Sequence, residues 1–386
     1  MAVTVMAVTV MAVTVMTVAA LLAGCSSPGP PASGSAGGSA SGISGAAQAA
    51  AGQNPNLDPG TSVGNAPAPD FRLMNQFGQP VSLSQFRGKV VLLSFEDAEC
   101  TDVCPLTSES ELLAKEYLGK AGENVQLLGV NANPMASKVS DVMAYTRAHG
   151  MVNQWDMLTG TGAQLKAVWK AYHIADIVSD GDVDHTPALY VISQQGRLEK
   201  LYITQMAYDS VGQSAEVIAQ EVSSLLPSHP KLASQQSLAA ITPYPPGQAI
   251  TEPSATGHGT VPVDGRTPHL VVFFTTWLDY VSDLKGELIT LNSYVTYASA
   301  HHLPQLTAVD EATTEPSDAE VAAYLKSVGT LDYPVALDKT GRIADGYQVQ
   351  DQPWLALVNS SGKITWQHDG WVSLPALEKA AATHSR

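Results

Sequence analysis

The run Lys89-Val90-Val91-Leu92-Leu93-Ser94-Phe95 constrains this chain more than any other feature. Its apolar side chains follow one another without the alternation of a half-solvated strand, so it predicts a strand covered on both faces. Coverage on two faces needs helices, and the chain supplies them in alternation. Thr107 to Leu118 carries Leu112, Leu113 and Tyr117 at helical spacing. Val125 to Val130 reads as strand, Ser137 to Ala148 and Gly162 to Ala171 as helices, and Val211 to Leu226 as a closing helix. Ala188 to Ile192 and Leu198 to Thr204 read as a strand pair across Gln195-Gly196, and Ala68 to Leu73 and Val81 to Leu83 as two short strands joined by Phe77-Gly78-Gln79-Pro80. This order predicts an α/β fold with a mixed central sheet flanked by helices.

The buried-strand signal returns at Leu270-Val271-Val272-Phe273-Phe274, beyond a stretch holding Pro243, Pro245, Pro246, Pro253 and Pro262. Pro187-Ala188-Leu189-Tyr190-Val191-Ile192 aligns with Pro353-Trp354-Leu355-Ala356-Leu357-Val358, and Gly196-Arg197-Leu198 then falls on Gly362-Lys363-Ile364 without a gap. The shared register predicts the same fold twice in tandem, at 66–228 and 267–386, joined by a proline-rich linker at 229–266. The strand and helix order is that of the thioredoxin fold.

The N-terminal part has a different composition. An apolar run ends in Leu22-Ala23-Gly24-Cys25, followed by Ser26-Ser27, a pattern expected of a lipoprotein signal at 1–25 whose Cys25 becomes the lipidated first residue. Met1-Ala2-Val3-Thr4-Val5 repeats from Met6 and from Met11 without a basic residue, and an uncleaved membrane-spanning helix is the alternative reading. Both place the protein outside the cytoplasm, anchored to a bacterial cell membrane. Residues 26–65 hold almost no charge and few large apolar side chains, so a disordered tether is expected there, with a reach of roughly 30 to 40 Å.

Formal charge is −16, which repels nucleic acid and tolerates metal cations or basic partners. With Cys25 assigned to the anchor, two thiols remain for chemistry, Cys100 and Cys104. They lie at the junction of the buried strand with the next helix, where unpaired backbone N–H groups and the helix dipole favour a thiolate. Glu96, Asp97, Glu99 and Asp102 oppose ionisation of the thiols while attracting a cation, and otherwise read as a solvated acidic loop. A structural disulfide would close only a small loop. His149, His173, His258, His301, His302 and His368 lack a comparable setting and are expected at the surface.

Cys100-Thr101-Asp102-Val103-Cys104-Pro105-Leu106-Thr107, with Val183-Asp184-His185-Thr186-Pro187 downstream, resembles the signature of the Sco/SenC family over about Ala68 to Leu226. The resemblance implies a copper site formed by Cys100, Cys104 and His185, with Pro187 in the place where thioredoxin-like folds carry a cis-proline. Two thiolates and an imidazole suit both Cu(I) and Cu(II). It further implies a metallochaperone that serves the CuA centre of cytochrome c oxidase subunit II or another copper oxidase. A thiol-disulfide oxidoreductase using the Cys100/Cys104 dithiol is the alternative, and a peroxidase a weaker third, since no activating Arg is evident near Cys100. Asn133-Pro134-Met135-Ala136-Ser137 stands where family members commonly have a charged Asp-Pro segment. The second domain resembles a redoxin, with Leu278 and Val281 in place of its cysteines and Asp351 in the place of His185, so it is expected to bind or scaffold without thiol chemistry.

Overall fold

In the computed structural model the described residues are 45–179, 182–233, 235–248 and 267–385. The first part runs α1 (Gly45–Ala51), β1 (Thr61–Ser62), β2 (Arg72–Asn75), β3 (Pro80–Ser82), β4 (Val90–Glu96), α2 (Val103–Tyr117), β5 (Val125–Asn131), α3 (Val139–Ala148), β6 (Trp155–Thr159), α4 (Gly162–Ala171), β7 (Asp176–Ser179), β8 (Asp182–His185), β9 (Ala188–Ile192), β10 (Leu198–Ile203) and α5 (Val211–Leu225). The second runs β11 (His269–Phe274), α6 (Leu284–His301), β12 (Gln305–Asp310), α7 (Asp318–Val328), β13 (Val335–Leu337), α8 (Arg342–Gly346), β14 (Trp354–Val358), β15 (Ile364–Asp369) and α9 (Leu374–His384).

The first sheet has the order β1-β10-β9-β4-β5-β6-β2-β3 and the second β13-β12-β11-β14-β15, while β7 and β8 pair only with each other. Within the first, β4 is parallel to β5, β5 to β6, and β4 is antiparallel to β9, as β9 is to β10. The second repeats this pattern: β11 is parallel to β12, β12 to β13, and β11 is antiparallel to β14, as β14 is to β15. The register read from sequence holds throughout, because β9 and β10 map onto β14 and β15 at one constant offset. Gly196 and Gly362, which occupy equivalent turns, both have positive φ, at 73° and 77°.

The unbroken apolar runs have a direct cause. In β4, Val90 and Leu92 enter one core while Val91, Leu93 and Phe95 enter another on the opposite face. In β11, Leu270, Val272 and Phe274 face one core, and Val271 and Phe273 face a second that also contains Leu106 of α2, Val211 of α5 and Tyr208. Helices α2 and α5 thus serve both sheets, covering the first with one side and meeting β11 with the other. At about 1.5 to 3 kcal/mol per buried large apolar side chain, this shared layer is a substantial bond between the sheets. Both belong to one compact body.

Three expectations need correction here. The stretch read as disordered tether is ordered from Gly45 onward: Ala51 is fully buried, Leu57 nearly so, and Asn54 Nδ2 donates to Gln213 Oε1 at 3.1 Å. Alanine is the best helix former and its methyl groups fit closely against the first core, so a composition poor in large side chains still packs. The proline-rich linker is likewise partly packed. Leu238 is buried, Tyr244 N donates to Arg342 O at 2.9 Å, and the Arg342 guanidinium lies 4.0 Å above the Tyr244 ring. Finally, the cis peptide among the described residues precedes Pro353, not Pro187.

The lipidation site Cys25, the signal at 1–25 and the first part of the tether lie outside the described residues, as do 249–266 and His258. No helix of the described residues is long and apolar enough to cross a membrane.

Candidate dithiol and imidazole site

Strand β4 ends at Glu96, and the chain crosses a short loop before α2 begins at Val103. Asp102 caps that helix, its carboxylate accepting from Val103 N at 2.6 Å. Cys100 sits in the loop and Cys104 in the first turn of the helix, both as free buried thiols. The Cys100 thiol donates to Asp102 Oδ1 at 2.8 Å, and its sulfur accepts from Cys104 N at 3.3 Å. The sulfurs and an Asp102 oxygen lie within 4.8 Å of one another.

The imidazole arrives from β8. His185 Nε2 is 3.6 Å from Cys104 Sγ, and Nδ1 is 3.1 Å from Thr186 O. A carbonyl only accepts, so that contact places the proton on Nδ1 and leaves the Nε2 lone pair directed at the sulfur side. Cys100, Cys104 and His185 therefore come together here; the cis-proline geometry expected at Pro187 is absent, and the β7–β8 ribbon positions His185 instead.

The balance between the helix terminus and the carboxylates is decided by burial. Burial, followed by the neighbouring charges of Glu96 and Asp102, pushes the Cys104 thiol up to about 12. Cys100 is also raised well above the usual thiol range, first by burial and then by Cys104 and Asp102. The acidic loop is only partly solvated. Glu96 is fully buried beneath Cys104, accepts from Tyr145 Oη at 3.1 Å, and is pushed up to about 7 by burial. Asp97 accepts from Glu99 N at 2.7 Å and from Asn133 Nδ2 at 2.8 Å. Asn133, at the departure from the family pattern, is thus a brace for the loop that presents Cys100.

A cavity of about 540 Å³ opens beside Cys100, lined also by Asp102, Asp184, His185 and, from the second sheet, Asp351. Sequence reasoning paired Asp351 with His185 only as a lost ligand. It missed that this carboxylate reaches the first site, lining the same cavity as Cys100 and His185. His149 was also misplaced: it is buried, with ring centroids 4.4 Å from Tyr145 and 4.8 Å from Trp277. The second sheet covers it, which a pattern confined to α3 does not reveal.

Two soft sulfurs, one imidazole nitrogen and a nearby carboxylate form a donor set for a soft or borderline cation, and a poor one for Ca²⁺ or Mg²⁺. The same sulfurs are placed for dithiol chemistry. Fold and site define a thioredoxin-type domain with a Cys-x-x-x-Cys pair and a distant histidine. Residues 60–223 match the family model described as SCO1/SenC. Among curated proteins, the chain is 42% identical over 71 residues to Peroxiredoxin 2 of Caldanaerobacter subterraneus, covering 18% of this chain and 31% of that protein. It is 29% identical over 164 residues to the mitochondrial SCO2 homolog of Bos taurus, covering 40% and 57% respectively. The matches therefore span less than two thirds of either relative. The crystal structure of Arabidopsis thaliana ScoI with copper bound is similar over 40% of this chain and 98% of that one, with 23% identity and a TM-score of 0.35. The likeness to the SCO1/SenC family is thus carried by the segment 60–223.

Proposed function

We propose that this protein is an extracytoplasmic metallochaperone that binds copper at Cys100, Cys104 and His185 and passes it to a copper oxidase, the CuA centre of cytochrome c oxidase subunit II being the expected recipient. The observation that carries this reading is the approach of His185 Nε2 to Cys104 Sγ at 3.6 Å, with its lone pair facing the sulfur. A dithiol exchanger has no need of that imidazole. The oxidase as recipient follows from the likeness of segment 60–223 to the SCO1/SenC family, and Cys25 as a lipid anchor from the sequence pattern around it.

In this reading the copper is cargo. Both thiols are protonated at neutral pH, so loading displaces their protons. Asp102, which already accepts from the Cys100 thiol at 2.8 Å, and His185 Nε2, 3.6 Å from Cys104 Sγ, are the acceptors at hand. Asp102 holds the loop and the helix end, and the Thr186 carbonyl fixes the imidazole tautomer. Release proceeds by incoming thiolates of the recipient replacing Cys100 and Cys104 in turn. The five-strand pattern of the second sheet supports a second thioredoxin-like fold without thiols, one that scaffolds the first.

Titration of the reduced full chain with Cu(I) tests the proposal. One Cu(I) per chain is expected, falling sharply in Cys100→Ser and Cys104→Ser. Unaltered uptake in either variant overturns it. Thiol-disulfide exchange is the second reading, favoured by the 3.3 Å contact of Cys104 N with Cys100 Sγ. It would win if the reduced protein ignored Cu(I) yet reduced a disulfide substrate.

A further inference from the structure

A second cavity, of about 470 Å³, lies where three stretches of the chain meet and shares no lining residue with the first. Asn56 and Met206 come from the first part, Pro243 from the stretch between the sheets, and Asp345, Trp354 and Gln367 from the second part. Its volume is that of a small-molecule site, and junctions between folded units are where such sites gather.

The lining is polar without being ionic. Gln348 and Gln350 join Asn56 and Gln367, so four side-chain amides border one space together with an indole. An amide both donates and accepts, which suits hydroxyl groups, and the half-buried ring of Trp354 adds an apolar surface. No Lys, Arg or His of the described residues lines the cavity, so it has no partner for an anion. Its one carboxylate, Asp345, already accepts from Tyr208 N and Asp209 N at 2.9 Å each, which weakens its hold on a cation.

Trp354 pairs with Asp369 and Ala356 with Gln367, so Trp354 and Gln367 stand on one face of the β14–β15 ladder. Gln367 Nε2 donates to Tyr347 O at 2.9 Å, which fixes the amide and leaves its oxygen without a partner among the described residues. Gln348 is held at a conformational cost. It follows α8 with a φ of 57°, in the left-handed region where helix ends ordinarily carry glycine. Asn65, His173, His229 and His302 adopt the same conformation, but Asn and His tolerate it better than Gln. The side chain, not the turn, therefore accounts for glutamine at this position.

We propose that this cavity binds a neutral saccharide, its ring packed on Trp354 and its hydroxyls bonded to the amides of Gln348 and Gln367. With no lining residue in common with the dithiol cavity, the site is independent of copper and of thiol exchange.

The test is saturation-transfer NMR on the full chain with glucose, galactose, mannose and N-acetylglucosamine as probes. At least one is expected to bind, about tenfold more weakly in Trp354→Ala. Loss of one amide should weaken binding about fivefold in Gln348→Gly and in Gln367→Ala. Both glutamines are exposed and Gln348→Gly relieves the backbone, so these variants carry the test if Trp354→Ala does not fold. Absence of binding by all four sugars overturns the proposal, as does native affinity in both glutamine variants. Tighter binding of glucosamine or glucuronate than of the neutral sugars overturns it too, since charge would then govern the cavity. So does a preference for the blocked peptide N-acetylalanine methylamide, which would make the amides a peptide site.

Discussion

The imidazole of His185 meets the thiol of Cys104 across 81 positions of the chain, Nε2 and Sγ being 3.6 Å apart. The two come from separate structures, a helix terminus that follows the central strand β4 and the β7–β8 ribbon. If this pair shares a copper ion, His185→Ala should bind Cu(II) at least about tenfold more weakly and alter its absorption and electron paramagnetic resonance spectra. Cu(I), which the sulfurs hold well by themselves, should be affected less. Identical Cu(II) spectra in the native and variant proteins would take His185 out of the site.

Glu96 raises the Cys104 thiol through its charge, second among the raising influences after burial. Glu96→Gln keeps the shape and removes the charge. The thiolate fraction of Cys104 at pH 8.5 should rise, by about tenfold for each unit that its pKa falls, and its alkylation should accelerate accordingly. A slower reaction would mean that Glu96 serves chiefly as a base for the thiol, opposite to the direction expected here.

Much of this arrangement was open to reading in the sequence. The runs Val90–Phe95 and Leu270–Phe274 announced strands buried on both faces, and the match of Pro187 with Pro353 fixed β9, β10, β14 and β15 in register. Cys100, Cys104 and His185 were identifiable because their local motifs are dense. What escaped notice depends on surfaces that meet only after folding. Nothing local to Asp351 shows that it will line the cavity beside Cys100, and nothing in α3 shows that Trp277 and Tyr280 will cover His149. The helix α1 was missed because its alanines lack bulk, although small side chains suit a close approach to the first core.

Burial of His149 has a consequence for acid stability. Its imidazole is lowered to about 3 by desolvation, whereas an unfolded chain protonates it near the ordinary value of 6.5. Between those values the unfolded state binds more protons, so stability falls as pH drops from about 6.5 towards 3, by about 1.4 kcal/mol per unit from this group. His149→Phe retains an aromatic ring between Tyr145 and Trp277 and removes the proton. Urea unfolding at pH 6.5 and pH 4.5 should show the variant losing about 2 kcal/mol less than the native chain over that interval. Equal losses would contradict the assignment.

Asp345 joins the two sheets by accepting from the backbone of Tyr208 and Asp209. In Asp345→Ala these two donors lose their partner at a partly buried position, which should cost about 2 to 4 kcal/mol in chemical denaturation. Because α5 begins just beyond this contact, the loss should also separate the unfolding of the second sheet from that of the first. A single transition with unchanged midpoint would show that the apolar layer alone unites them.

The ribbon of β7 and β8 is hydrogen-bonded as strands only within itself, while β4 and α2, which bear the cysteines at their junction, are embedded in the interior. A ligand set built in this way has one pliable arm and two stiff ones. An ion held by all three would part from nitrogen before sulfur, because withdrawing the arm disturbs no core side chain, whereas moving either thiol disturbs the first core, to which both belong. The direction of handover would then be written into the unequal stiffness of the donors rather than their chemistry.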